Sequence, residues 1–141
     1  MISLIWLMLG LVAGWAFLYY ARSKNATGEK RILAAGLVLA AAVYVAFAVI
    51  YGSARWIAIE FAGVALYGIF AWFSYKYSVR WLAIGWVGHA AWDALLHLVG
   101  PGNVVAPEWY VLACISFDIL VGGYVLAAKK QKSKLVLGEN R

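Results

Sequence analysis

The chain has 141 residues, 66% of them hydrophobic and 13% charged, with a formal net charge of +6 and a mean hydropathy of +0.83. Soluble domains carry about 25% charged residues and are about half apolar, and a chain this short has too little interior to bury such an apolar excess. A water-soluble globule is therefore excluded, as is a disordered chain, which needs the opposite composition.

What remains is a multi-pass membrane protein. A helix needs about 20 apolar residues to cross the hydrocarbon core, and five stretches qualify: 2–21, 32–51, 55–75, 81–99 and 109–128. The predicted fold is all-α, a bundle of five transmembrane helices forming one domain over 1–128. A basic tail, 129–141, is short and polar enough to be a frayed extension. The first span has no Lys or Arg before its apolar run, and positive charge follows it. That is the pattern of a span inserted with its N-terminus outward, not of a cleaved signal peptide. It contains Gly10-x-x-x-Gly14, a spacing that lets two helices approach closely, and so offers a face for a homodimer. The second and third spans are joined around Gly52-Ser53-Ala54, a connection short enough to require an antiparallel hairpin. The sequence Gly100-Pro101-Gly102-Asn103 ends the fourth span, and Pro107 with Glu108 opens the fifth, proline and an acid both being favoured in a first helical turn.

The basic residues set the expected orientation. Arg22, Lys24, Lys30 and Arg31 fall in the first loop, Lys76 and Arg80 in the third, and Lys129, Lys130, Lys132, Lys134 and Arg141 in the tail; only Arg55 falls on the other side. By the positive-inside rule the N-terminus is outside and the C-terminus cytoplasmic. The expected location is a bacterial inner membrane. Tyr19, Tyr20, Tyr75, Tyr77 and Trp81 mark one interface, and Tyr51, Trp56, Trp109 and Tyr110 the other. The positive charge is thereby explained by topology and contact with anionic lipid, so nucleic acid is not an expected partner.

Three acids and two histidines lie inside the spans. His89, Asp93 and His97 recur at i, i+4 and i+8 in the fourth, where about 100° per residue keeps them within about 80° of one another. The third span adds Glu60 and the fifth Asp118. Each such group costs at least about 2.5–3.5 kcal/mol at a helix centre, so they are expected to face one another, water or a ligand. With the predicted orientation they occupy the middle and outer half of the bundle, opening outward beneath the fourth loop, with Glu108 at the rim.

Two chemistries fit this set. Histidine and carboxylate are ligands of zinc, iron and manganese; His89 with Asp93, or Asp93 with His97, would share one divalent ion, and Asp118 and Glu60 would complete its shell. Alternatively His89, Asp93 and Asp118 would act as a metal-free acid–base group, a His–Asp pair in a dry pocket being able to exchange a proton near neutral pH. Polar residues also serve as hydrogen-bonding glue between spans, worth about 0.6 kcal/mol on average, which is a small return for burying an acid. Cys114, one turn from Asp118, is read as a small packing residue. Trp86 and Trp92 flank the stripe as candidates to line a pocket for an apolar or cationic substrate. The chain contains no G-x-S-x-G, no glycine-rich phosphate loop and no C-x-x-C, so the catalytic classes built on them have no support.

The segment Gly85-Trp86-x-x-His89-x-x-Trp92-Asp93-x-x-x-His97, followed by Pro107-Glu108-Trp109-Tyr110 and Cys114-x-x-x-Asp118, resembles a family of small bacterial integral-membrane proteins defined only as a domain of unknown function. The likeness lies in the fourth and fifth spans. It implies a polytopic bacterial membrane protein in which His89, Asp93 and His97 recur, and it implies no activity. The leading functional expectation is a membrane enzyme or metal-binding protein acting on a lipid-like small molecule that enters laterally or from outside. A proton- or metal-ion-coupled carrier is the first alternative and a non-catalytic subunit of a membrane complex the second.

Overall fold

The computed structural model describes residues 2–138, with side chains described over 3–128. Five α-helices follow one another: α1 (Ile2–Arg22), α2 (Ala26–Tyr51), α3 (Ala54–Lys76), α4 (Arg80–Trp92) and α5 (Glu108–Gly138). A π-helical segment, Asp93–Leu98, continues α4, and a 3₁₀ turn, Pro101–Val104, leads toward α5. Among the described residues no strand occurs. The helices α1, α2, α3 and the Glu108–Ala128 part of α5 are each long and apolar enough to cross a membrane. The fourth predicted span is present as the 13 residues of α4 with the six π-helical residues beyond them.

The helix limits follow from local chemistry. α2 begins at Ala26, ahead of the predicted start at 32, because Asn25 caps it: its side-chain oxygen accepts from the Gly28 amide at 2.8 Å, and Glu29 occupies the first turn. Lys30 and Arg31 therefore belong to the helix and not to the loop. α5 starts at Glu108 after Pro107 and runs to Gly138, so the backbone of the predicted tail continues the helix. The tail's basic side chains, from Lys129 onward, lie outside the described side chains, and residues 139–141 outside the described backbone.

Short connections make successive helices antiparallel, so α1 and α5 run in the same direction. α1 packs chiefly on α5 and only lightly on α2; α5 also packs on α4, and α3 lies between α2 and α4. The seam between α1 and α5 explains Gly10 and Gly14. Gly10 sits against the backbone of Ala113 and the Ser116 hydroxyl, where a methyl group would overlap both, and Gly14 faces Phe117 and Leu120. The Ser116 hydroxyl donates to the Leu7 carbonyl at 2.8 Å across the same seam. The glycine pair predicted to offer a dimer face is thus used within the chain. Gly10→Ala should lower the unfolding midpoint in detergent, by the about 1–3 kcal/mol typical of overpacking. Gly68→Ala, where open space surrounds the added carbon, should leave the midpoint unchanged or raise it.

Two apolar clusters fill the bundle. The larger joins Leu18, Leu33, Leu37, Leu82, Trp86 and Val121 toward the end bearing Lys76 and Arg80. The smaller joins Tyr44, Ala106, Val111 and Cys114 toward the other end. The ionisable residues lie between and beside them.

Candidate functional site

His89 leaves α4 one turn before the helix widens. From Asp93 the backbone bonds i to i+5, as in the Val99 amide donating to the Ala94 carbonyl at 3.0 Å. A single π turn inside an α-helix recurs at functional sites. The wider turn advances less per residue than an α turn, which holds His97 closer to the azimuth of His89 than regular α-winding would. All five predicted site residues, His89, Asp93, His97, Glu60 and Asp118, are buried, none more than 2% exposed.

They divide into two groups. In the first, His89 Nδ1 and Asp118 Oδ2 share a hydrogen bond of 2.7 Å, and Asp93 Oδ2 lies 3.6 Å from the same nitrogen. Cys114 joins them: its Sγ is 3.7 Å from Asp118 Oδ2 and 4.0 Å from His89 Nδ1. One ligand atom from each of these four residues lies within 4.8 Å of every other. A closed tetrahedral site with bonds of about 2.0–2.3 Å needs donor separations of about 3.3–3.8 Å. An inward shift of about 1 Å would therefore bring the most separated pair into range.

The second group is His97 with Glu60. His97 Nδ1 donates to the Gly102 carbonyl at 3.1 Å, which turns Nε2 toward Glu60 Oε1, 3.2 Å away. That approach lies off hydrogen-bond alignment, and neither atom has another partner. Gly102 must be small here, since an added carbon would come within 2.9 Å of His97 Nδ1 and 2.8 Å of the Leu96 carbonyl. Of the two predicted pairings, His89 with Asp93 and Asp93 with His97, the structure draws the first together with Asp118 and sets Glu60 apart from it. Glu60 and His97 pair with each other because His97 lies two turns along from His89, and Cys114 takes a place in the four-residue group.

Tyr44 links the two groups. Its ring stacks on His97 at 4.6 Å between centroids and meets His89 edge-on at 5.7 Å. Its hydroxyl is in electrostatic reach of Asp93 but makes no hydrogen bond of ordinary geometry. On the other flank Tyr67 sets its ring edge-on to His89 at 4.9 Å and donates its hydroxyl to the Gly88 carbonyl at 3.2 Å. Neither tyrosine was among the predicted site residues. The available signal was a hydroxyl-bearing ring in mid-span, in Ala-Val-Tyr44-Val-Ala and Ala-Leu-Tyr67-Gly-Ile, far from the interfaces where tyrosine is ordinarily enriched.

The predicted outward mouth is closed. Val105 and Ala106, in the connection after the 3₁₀ turn, are 1% and 2% exposed, and Ala106 packs with Tyr44 and Cys114. Trp86 closes the opposite side. Within this enclosure Asp93 is fully buried, and both its carboxylate oxygens lack a hydrogen-bond partner, as does Asp118 Oδ1. Buried polar groups are nearly always satisfied, and an unsatisfied one costs about 1–3 kcal/mol, more when charged. Two carboxylates facing one imidazole leave negative charge that the four side chains do not balance, and a cation or bound protons would balance it.

Comparison with curated proteins and with solved structures gives no match. The family expected from the fourth and fifth spans does match, and over far more than those spans: residues 5–131 fit the model of a family of unknown function, DUF6010, and the chain belongs to it.

Proposed function

We propose that His89, Asp93, Cys114 and Asp118 bind one divalent transition-metal ion within the membrane, as the centre of an enzyme acting on a lipid-soluble substrate. The observation that carries this reading is Asp93, a fully buried carboxylate neither of whose oxygens has a hydrogen bond of ordinary geometry, beside three further ligand residues in range. A divalent ion would satisfy those oxygens and offset the excess negative charge. The thiol narrows the predicted metals, because soft thiolate with imidazole suits zinc or iron better than manganese. His89, Cys114 and Asp118 are the more closely grouped donors. Asp93, 3.6 Å from the His89 nitrogen, completes the shell. Such an ion supplies Lewis acidity toward a substrate oxygen or a bound water.

The end bearing Arg22, Lys24, Lys76 and Arg80 is read as cytoplasmic, which puts the N-terminus outside and the site in the middle and outer half of the bilayer. A carrier using the same residues is less well supported. Between the cluster and the basic end, Leu37, Leu82, Trp86 and Val121 pack without exposure, so an ion would have to displace this layer to pass.

Protein purified in detergent without chelator should carry about one metal per chain by elemental mass spectrometry, and His89→Ala should carry none. Wild-type protein that neither retains nor takes up zinc or iron would rule the proposal out. Glu60→Gln and His97→Ala should retain the metal, because both residues stand outside the four-residue group. Loss of metal in a folded Glu60→Gln protein would restore the larger shell.

A further inference from the structure

A cavity of about 380 Å³ lies between α1, α2, α4 and α5, bounded in part by Phe17, Trp86, Phe117 and Cys114. Its volume falls in the range of small-molecule sites. It exists because α1 leans on α5 and barely touches α2. Leu9 of α1 and Leu39 of α2 stand at its edge, exposed to 49% and 66%. Both belong to helices long and apolar enough to cross a membrane, so the medium at this opening is bilayer hydrocarbon.

Cys114 is the common element of the cavity and the ligand cluster. It lines the cavity while its Sγ lies 3.7 Å from Asp118 Oδ2 and 4.0 Å from His89 Nδ1. A second polar group bears on the same wall: Trp86 is fully buried, and its indole N–H has no hydrogen-bond partner. An apolar space that meets a metal-ligand cluster at one residue and an unpaired donor at another fits a molecule with a hydrocarbon body and a single oxygen function.

We propose that this cavity seats the hydrocarbon chain of a lipid-soluble oxygen compound (an alcohol, ester or carbonyl), which enters sideways between α1 and α2 with its oxygen end toward Cys114. The chemistry at the oxygen end rests on the metal reading above; the seat for the chain does not. Dispersion against the cavity wall holds the chain, since transfer from bilayer hydrocarbon carries no hydrophobic gain. Polar atoms for the head come from Cys114 and, on the same lining, from Trp86, Trp109 and Tyr110.

The test uses the full chain in nanodiscs of phosphatidylethanolamine and phosphatidylglycerol, with a long-chain fatty alcohol bearing a diazirine near its end. After irradiation, labelled residues are mapped by mass spectrometry. Exposed positions such as Trp72 and Leu95 label from the bilayer in any case; buried Trp86 and the cavity wall at Phe117 label only if the chain enters. Ala40→Phe, which fills the cavity from α2, should reduce the Trp86 and Phe117 label several-fold and leave Trp72 unaffected. Ala13→Phe should do the same from α1, should Ala40→Phe fail to fold. Label confined to exposed positions, or cavity label indifferent to both variants, overturns the proposal. Metal content measured on the same samples separates the two readings: cavity labelling in protein that binds no metal supports the seat and removes the metal centre, whereas metal without cavity labelling removes the seat alone.

Discussion

Chelation should lower the unfolding midpoint of the wild-type protein in detergent and leave that of Asp93→Asn unchanged. A ligand that binds only the folded state stabilises it by about 2.7 kcal/mol at a free concentration 100 times its Kd, and stripping the metal removes that contribution. In the stripped wild type, Asp93 is left buried with two unsatisfied oxygens beside the Asp118 carboxylate, held with it against a single imidazole. Asparagine removes one negative charge and adds two donors within reach of Asp118. The stripped variant should therefore unfold at a higher temperature than the stripped wild type, while the metal-loaded wild type stands above both. This order, loaded wild type, then variant, then stripped wild type, distinguishes a metal ligand from a residue that holds helices together. Were Asp93 only interhelical glue, asparagine would lower the midpoint with or without chelator. Thermal melts followed by circular dichroism on four samples, each protein with and without chelator, decide it.

Cobalt(II) substituted into the protein should give a thiolate-to-metal charge-transfer band in the near ultraviolet, and Cys114→Ser should abolish that band. Cobalt(II) occupies zinc-type sites and reports thiolate ligation directly. The affinity for zinc should fall by more than the about 10–100-fold that loss of a supporting partner costs. The serine protein should also discriminate less between zinc and manganese, since its remaining donors are nitrogen and oxygen. If the cobalt protein shows only the weaker bands of nitrogen and oxygen ligation, Cys114 is a packing residue. His89, Asp93 and Asp118 would then hold the ion without it.

The bundle was legible because membrane spans announce themselves by length and apolarity, and because glycine and proline mark their ends. The predicted limits 55–75 and 109–128 fall within a residue of α3 at both ends and of the start of α5. The six-residue error at the start of α2 arose because Lys30 and Arg31 look like loop on a charge count, whereas the Asn25 cap and Glu29 mark the helix start more directly. The stripe His89, Asp93, His97 was legible as a period-four pattern, and burial of all three follows from the cost of charge in lipid.

That His89 and His97 stand too far apart along the helix to share an ion was legible from the rise, but the separate pairing of His97 with Glu60 was not. The i+5 bonding from Asp93 to Leu98 leaves no residue-level signature, so nothing chose between His89 and His97 as the partner of Asp93. The nearness of Cys114 to the cluster was hidden for a different reason. A lone cysteine in an apolar helix is ordinarily packing, and only the rotation of α5 against α4 brings its sulfur beside the His89 ring. The glycine spacing in α1 was read correctly as a close-approach face, but spacing alone does not say whether the partner is a second copy or the chain's own last helix.

That last contact has a consequence for biogenesis. The first span emerges from the ribosome long before the helix it packs on, and it touches α2 too lightly to settle there. On this packing its docking waits for α5. α5 also delivers Cys114 and Asp118, so the first span docks and the polar cluster completes in the same late event. A nascent chain stopped before α5 would present His89, Asp93 and an unseated first span to the membrane together, a form that quality-control proteases could recognise.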